Sequence, residues 1–357
     1  MGLADTEIAE RLLAHLRQTL AAPDLAYVES PASIQGGFET RIFGLRLRGG
    51  PDNLSGPLIL RLLPPFVRPQ RVHFEAAVHE ALAKSQYPVP KVFLAVSDHT
   101  ALGGPFLIME RLAGRPLAHD VEAILRRAGA AKLAGLFLDA PRLLRRIVET
   151  WADMQARLHD VLVEHLERAL QSRGIDAASL HFDARLLALR DEISRLRLDG
   201  LLPALAWAER NRPAPSQSVI CHRDFHPLNI LADDERVTGV IDWGNAIIAP
   251  PEMDLGSTLA TVSCMPLGLH GAADMAARIP FRVALRGYLS AYGRRRPYDA
   301  AMVRYFDVYH CLSQIVGVAY VVASGVGQPG AFGSDDGIAR LLTRIAKRSG
   351  VRATFSP

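Results

Sequence analysis

The chain has 357 residues, 49% of them hydrophobic and 22% charged, which provides for two or three packed units and argues against wholesale disorder. Its formal net charge is only +4, carried by scattered arginines with lysine at just positions 84, 91, 132 and 347, so no nucleic-acid-binding surface is expected. Three isolated cysteines without metal-ligand spacing suit a reducing compartment. With no signal-like region near the start and no membrane-length apolar run, a cytoplasmic protein with no membrane partner is expected.

Apolar residues at 8, 12, 13, 16 and 20 recur at helical spacing and predict an amphipathic helix over 5–20. Two strand-like runs follow between 26 and 48, joined by QGGFE at 35–39; the second, IFGLRLR, alternates apolar and polar residues as a half-buried strand does. A third strand, PLILRLL at 57–63, stops at Pro64-Pro65. Residues 69–85 predict a helix, with Phe74, Val78 and Leu82 on one face. Pro88-Val89-Pro90 ends it, and VFLAVS and PFLIME supply two more strands. These elements make a small five-stranded sheet with one helix inserted after the third strand. Composition changes at Gly114-Arg115-Pro116. Residues 120–210 are helical in character, short strands VICH and VTGVID flank a loop, and helical patterns return beyond 255 until the Gly-rich segment 325–337. A last helix is expected over 338–348. No internal repeat is present.

The loop between VICH and VTGVID carries the chemistry. His222-Arg223-Asp224 is followed by four residues and then Asn229, the HRDxxxxN spacing of a kinase catalytic loop. A loop between two strands can aim Asp224 at a hydroxyl and take or orient its proton. Asn229 offers an amide oxygen, and Asp242, in Asp242-Trp243-Gly244 at the end of the next strand, a carboxylate. Hard cations want such oxygen donors, and Mg²⁺ usually takes one or two from protein and the rest from phosphate and water. Arg61 in the third strand can fork two phosphate oxygens, and a buried guanidinium needs an acid: Glu75 on the following helix is the expected partner, with Glu80 the alternative. Gly36-Gly37 permits close approach of backbone to phosphate, though a plain hairpin turn explains the pair equally well. His226, two residues after Asp224, either touches substrate or packs within the loop. Cys221 reads as a small buried residue.

The chain resembles the aminoglycoside phosphotransferase and choline kinase superfamily of small-molecule kinases, over about 25 to about 320. HRDFHPLNIL is similar to that family's catalytic motif and VIDWG to its metal motif. GGPFLIMERLAGRPL resembles its hinge strand, FEAAVHEAL with PVPKV its helix and turn, and MQARLHD its helix-end Leu-His pair. The strand and hinge details look nearest to the phosphotransferases fused to acyl-CoA dehydrogenases. The resemblance implies an α+β, protein-kinase-like bilobal fold: residues 1–112 an N-lobe with the five-stranded antiparallel sheet and one helix, residues 113–357 a larger, mainly helical C-lobe. It implies a phosphotransferase using ATP, with GTP open as an alternative, and Mg²⁺, with a small-molecule hydroxyl as acceptor and the oligomeric state left open. By the same resemblance Asp224 is the base, Asn229 and Asp242 hold metal, and the backbone of Glu110 and Leu112 meets adenine, walled by Met109. Arg61, Glu75, Gly36 and Gly37 serve the phosphates, and His222 and Asp254 support the loop.

Two departures open alternatives. Arg61 stands where the family often has Lys, and no GxGxxG is present; both admit a nucleotide-binding scaffold without transfer. A protein acceptor is the third reading, disfavoured because no APE follows the metal motif. The stretch MPLGL at 265–269 and the helix QIVGVAYVVASG are apolar and hint at an acceptor with an apolar part.

Overall fold

The computed structural model describes residues 3–34, 40–119, 130–214, 216–233, 236–325 and 327–356, with side chains described only from 142 onward in the helix that begins at 130. The chain divides into two compact units. One is Met1–Gly114 with Glu164–Ile175 and Leu231–Gly244; the other is Arg115–Val163 with Asp176–Ile230 and Asn245–Pro357. The two later segments of the first unit are tied to its N-terminal part by polar contacts. Arg173 pairs with Glu80 at 2.8 Å, His165 meets Ser85 at 2.8 Å, and the Val240 N–H donates to Pro88 O at 2.9 Å.

The first unit is built on one sheet. Helix α1 (Asp5–Thr19) precedes strands β1 (Ala26–Ile34), β2 (Arg41–Arg48) and β3 (Pro57–Leu62); helix α2 (Gln70–Lys84) intervenes, and β4 (Val92–Val96) and β5 (Phe106–Glu110) complete it. The order is β1-β2-β3-β5-β4, every pair antiparallel. Strand side chains alternate between faces, so each strand serves two layers. Phe43, Leu45, Leu58, Leu60, Phe106 and Ile108 turn to one face, where Ile8, Leu12 and Leu16 of α1 cover them. Leu107 and Met109 turn to the other, against Val72 and Ala76 of α2. Arg61 is two residues from Ile59 and pairs with Leu107 across the strands, so the pleat assigns it to the α2 face.

The second unit is mainly helical around a core shared by the helices Phe182–Arg195, Leu202–Arg210, Glu252–Cys264, Ala300–Ser324 and Asp335–Ser349. Strand VIC at Val219–Cys221 pairs with Ile247–Ala249 in this unit, whereas Ile230–Asp233 and Arg236–Val240, which fall from Leu231 onward within the first unit, lie side by side in another small sheet. The sequence reading has VICH and VTGVID as flanking strands and does not foresee the Ile247–Ala249 partner, because three residues are too short for periodicity to register. The last helix begins at Asp335, three residues before the expected start, capped by the Ser334 hydroxyl on the Gly337 N–H. Ala300–Ser324 is long and apolar enough to cross a membrane by length and composition, since the apolar run at 315–323 continues from Val303, Phe306 and Leu312. Phe306, Leu312, Ile315, Val316, Val318 and Ala319 are buried in the unit's own core, while Tyr320 and Val322 are exposed. Ile315, Val316, Val318 and Ala319 of the expected acceptor-side helix are part of that core.

Gly256 is where two of these helices come closest. A Cβ there would lie 2.6 Å from the Asp307 backbone nitrogen and 2.7 Å from the Phe306 carbonyl carbon. Helix propensity favours Ala over Gly by about 1 kcal/mol, but overpacking against immovable backbone costs about 1–3 kcal/mol or more. Gly256→Ala should therefore lower the unfolding free energy by about 2 kcal/mol in urea titration, opposite in sign to propensity alone.

Candidate active site

In the second unit the loop after VIC is pinned by one carboxylate. Asp254, in the first turn of Glu252–Cys264 and fully buried, accepts the His222 N–H on Oδ2 at 2.9 Å and the Arg223 N–H on Oδ1 at 2.6 Å. His159 Nε2 approaches the same Oδ2 at 3.1 Å, and its Nδ1 meets the Tyr292 hydroxyl at 2.7 Å. Burial alone would raise the Asp254 pKa; His159 and the two N–H groups outweigh it and hold the carboxyl below its ordinary value. Asp254 does not cap its own helix, where Pro251 occupies the cap position. His159, Cys221 and Asp254 also bring three possible metal donors within 4.8 Å of one another. Their chemistry is that of an internal hydrogen-bonded cluster. Both Asp254 oxygens hold N–H donors, burial pushes the Cys221 thiol up, and its Sγ faces Ala249 O and Pro250 O at 3.7 and 3.5 Å.

Arg223 adopts φ +68°, a left-handed conformation uncommon outside glycine, and the chain turns sharply into Asp224. The next carbonyl, Phe225 O, accepts both the Trp151 indole N–H at 3.1 Å and the Thr258 hydroxyl at 2.9 Å. Neither donor was foreseen, and only a tertiary fold could bring residues 151 and 258 to one oxygen. His222, expected as loop support, accepts the Asp224 N–H on Nδ1 at 3.2 Å. The Asp224 side chain is 32% exposed, with Oδ1 3.4 Å from His226 Nε2. Burial pushes its pKa up, but the hydrogen bond and charge of His226, with His222 and His310, pull it down to about 2. Asn229 Nδ2 donates to Asp224 O at 2.9 Å and lies 3.5 Å from His226 Nε2. With the amide nitrogen committed inward, Oδ1 is the atom left for a cation.

In the first unit Arg61 and Glu75 meet as the pleat requires: Nη1 to Oε2 is 2.5 Å, with Glu75 only 1% exposed. Glu80, the alternative partner, pairs instead with Lys84 and Arg173. Arg61 Nη2 reaches Asp242 Oδ1 at 3.0 Å. Burial works against the Arg61 charge, but Glu75 and Asp242 outweigh it and hold the guanidinium pKa above its ordinary value. Asp242 sits at φ +68°, its side chain 47% exposed. Trp243 behind it is fully buried, donating to Val240 O at 2.9 Å and set edge-on to Tyr87. Sequence reasoning missed Arg71, whose Nε lies 3.3 Å from Glu75 Oε1, although its i, i+4 spacing to Glu75 was available to read. Met109 is buried on the α2 face. The Glu110 N–H donates to Lys91 O at 2.8 Å, so at that position the carbonyl is the group that could meet a base edge. The Leu112 side chain packs over Gly239. Gly36 and Gly37 lie outside the described residues.

The family model described as the phosphotransferase enzyme family matches residues 32–298, three quarters of the chain. The chain belongs to that family. Among curated proteins it is 28% identical over 226 residues to an aminoglycoside 3'-phosphotransferase of Streptomyces fradiae, a match covering 60% of this chain and 73% of that one. It is 28% identical over 207 residues to acyl-CoA dehydrogenase family member 11 of Pongo abelii, covering 55% of this chain but 24% of that protein. The chain thus spans about a quarter of the length of the dehydrogenase-named relative. Among solved structures it superposes on the aminoglycoside phosphotransferase APH(4)-Ia in ternary complex with AMP-PNP and hygromycin B. The TM-score is 0.57 at 14% identity, over 95% of this chain and 98% of that one. The phosphotransferase family's kinase-like α+β fold is therefore the fold of this chain.

Behind the loop, His310 is buried with Nε2 3.1 Å from the Thr261 hydroxyl and 3.2 Å from Gln314 Nε2. Burial and then Arg223 push its pKa down to about 3, against the opposing pull of Asp224 and Asp254. The folded state holds it neutral while the unfolded chain protonates near pH 6.5, so the unfolded state binds the extra proton. Stability should fall as pH drops from about 6.5 toward 3, by up to about 1.4 kcal/mol per pH unit from this group. Urea melts across that range should show the fall, and His310→Gln should flatten it; an unchanged slope would place the acid sensitivity elsewhere.

Proposed function

We propose that the protein transfers the γ-phosphate of ATP, with Mg²⁺, to a hydroxyl of a small molecule. Asp224 acts as the base, and Asn229 and Asp242 hold the metal. The observation that carries this reading is the state of Asp224: ionised at neutral pH, one third exposed, and set on a loop whose backbone is tied down at His222, Arg223 and Phe225. A carboxylate with so low a pKa is a weak base, so its work is to orient the acceptor hydroxyl and take its proton late. That suits phosphoryl transfer, in which positioning and charge neutralisation provide most of the acceleration.

The donor set fits a hard cation. Asn229 keeps an amide oxygen and Asp242 an exposed carboxylate, the oxygen donors that Mg²⁺ takes. When bound, the ion supplies positive charge to the phosphate oxygens. Arg61 would contact the phosphates, with Glu75 setting its position, and Glu110 and Leu112 would present backbone to the base. His222 and Asp254 would hold the loop. The complex of APH(4)-Ia with AMP-PNP supports a nucleotide as the donor.

The acceptor is a small hydroxylated molecule. A polycationic acceptor calls for exposed carboxylates, yet the two acids that follow the metal motif are committed inside the fold. Glu252 accepts the Asp299 N–H at 3.0 Å, and Asp254 holds the loop. A nucleotide-binding scaffold without transfer is the second reading, favoured by the Arg61–Asp242 pair, which occupies one oxygen of a prospective metal ligand.

Thermal-shift titration separates the readings. Mg-ATP should stabilise the wild type, by about 2.7 kcal/mol at a hundredfold excess over Kd, and much less in Asp242→Ala. Asp224→Asn should keep that stabilisation while lowering turnover about 100- to 10,000-fold. Nucleotide binding with no transfer to any of a panel of hydroxyl metabolites would favour the scaffold.

A further inference from the structure

Arg61, Arg71 and Glu75 make an uneven triad. Glu75 is buried and has two oxygens. Arg61 Nη1 takes Oε2 at 2.5 Å, and Arg71 Nε takes Oε1 at 3.3 Å. A guanidinium facing a carboxylate with both oxygens available prefers the two-pronged clasp, both N–H groups parallel onto both oxygens. Arg61 does not adopt it. Its second prong, Nη2, turns away from Glu75 to Asp242 at 3.0 Å. Arg71 is also the residue for which Gly244 leaves room: a Cβ at Gly244 would stand 2.5 Å from Arg71 Nη2 and 3.0 Å from Glu75 Oε1. The glycine of Asp242-Trp243-Gly244 therefore has a local physical reason in this chain.

We infer that Arg71 is a positioning residue: by engaging Glu75 Oε1 it competes with Arg61 for the two-pronged clasp and, together with the acceptor Asp242 Oδ1, keeps the Arg61 Nη2 prong directed to Asp242, the side on which phosphate oxygens are to be met. The inference deepens the proposed phosphotransferase reading and rests on it for the phosphates, but the arrangement of the three side chains stands without ligand. It also explains how Arg can occupy the third-strand position. A lysine has one ammonium and no second prong to lose. An arginine is useful there only when something prevents it from closing on its acid. Arg71 itself is 39% exposed, with its guanidinium carbon 6.0 Å from the centroid of the Phe74 ring.

Two measurements on Arg71→Ala, Arg71→Lys and Gly244→Ala test this. The first is the crystal structure of ligand-free Arg71→Ala. Arg61 should place both Nη atoms on Glu75 and withdraw from Asp242; an Arg61 still bridging Glu75 and Asp242 overturns the inference, whatever the enzyme does. The second is Mg-ATP affinity by calorimetry. Arg71→Ala should weaken it about tenfold, the scale of one displaced charge-assisted hydrogen bond, with Arg71→Lys within about twofold of wild type. Gly244→Ala, whose Cβ crowds both Arg71 Nη2 and Glu75 Oε1, should weaken affinity at least as much as Arg71→Ala. In an Arg61→Lys background, where no clasp exists, Arg71→Ala should change affinity by less than about twofold. An equal loss in both backgrounds would make Arg71 a direct phosphate contact and overturn the positioning role. If the wild type binds no Mg-ATP, the functional reading fails, and the crystal structure still decides the side-chain inference.

Discussion

One buried carboxylate sets the geometry on which the catalytic loop depends. Asp254, fully buried, takes two consecutive backbone N–H groups, those of His222 and Arg223. Consecutive N–H groups can converge on one acceptor only if the chain turns sharply between them and the next residue. The left-handed Arg223 is that turn. A buried carboxylate without donors would be costly, and buried N–H groups without acceptors likewise, so each half of the arrangement requires the other. His159 and Tyr292 extend it, and Trp151 and Thr258 fasten the following carbonyl. What emerges is a fixed backbone with a one-third-exposed, ionised Asp224 at its tip. The strain sits at the residue before the carboxylate, and buried hydrogen bonds offset it.

The first unit solves a different problem, that of keeping a guanidinium on an apolar sheet face. The strand pleat that sends Leu58, Leu60 and Leu62 toward α1 sends Arg61 toward α2, where Glu75 waits 1% exposed. Asp242 adds a second acid from a later segment, again through a left-handed residue at φ +68°. Of the five non-glycine residues at positive φ among the described residues, Arg223 and Asp242 stand at or beside a proposed functional carboxylate, whereas Ala21, Gln86 and Arg197 do not. Strained backbone at such positions is tolerated where neighbouring packing, here Trp243 and Tyr87 or the Asp254 cluster, overdetermines it.

Much of this was readable in advance where a residue's role depends on near neighbours in the chain. The alternation of IFGLRLR and the Pro-bounded run PLILRLL carried the strands of the sheet, and the spacing from Asp224 to Asn229 and Asp242 carried the candidate site. Missed features depend on partners far along the chain. Ile247–Ala249 is recognisable as a strand only beside Val219–Cys221. Trp151 and Thr258 acquire a role only at Phe225 O, and His310 only behind the loop.

The amino-acid sequence alone determined the longer elements of the five-stranded sheet and its helix and the identity of the oxygen-bearing residues, because hydrophobic period and motif spacing are local properties of the chain. Only the tertiary structure decided which acid partners Arg61, that Arg71 shares that acid, and that Asp254 is an acceptor for the loop rather than a cap. It also decided that the apolar Ile315–Ala319 stretch is core rather than an acceptor surface. Hydrogen-bond and charge partners are selected by distance in space, and that distance is set by how the layers pack, which no window of sequence contains.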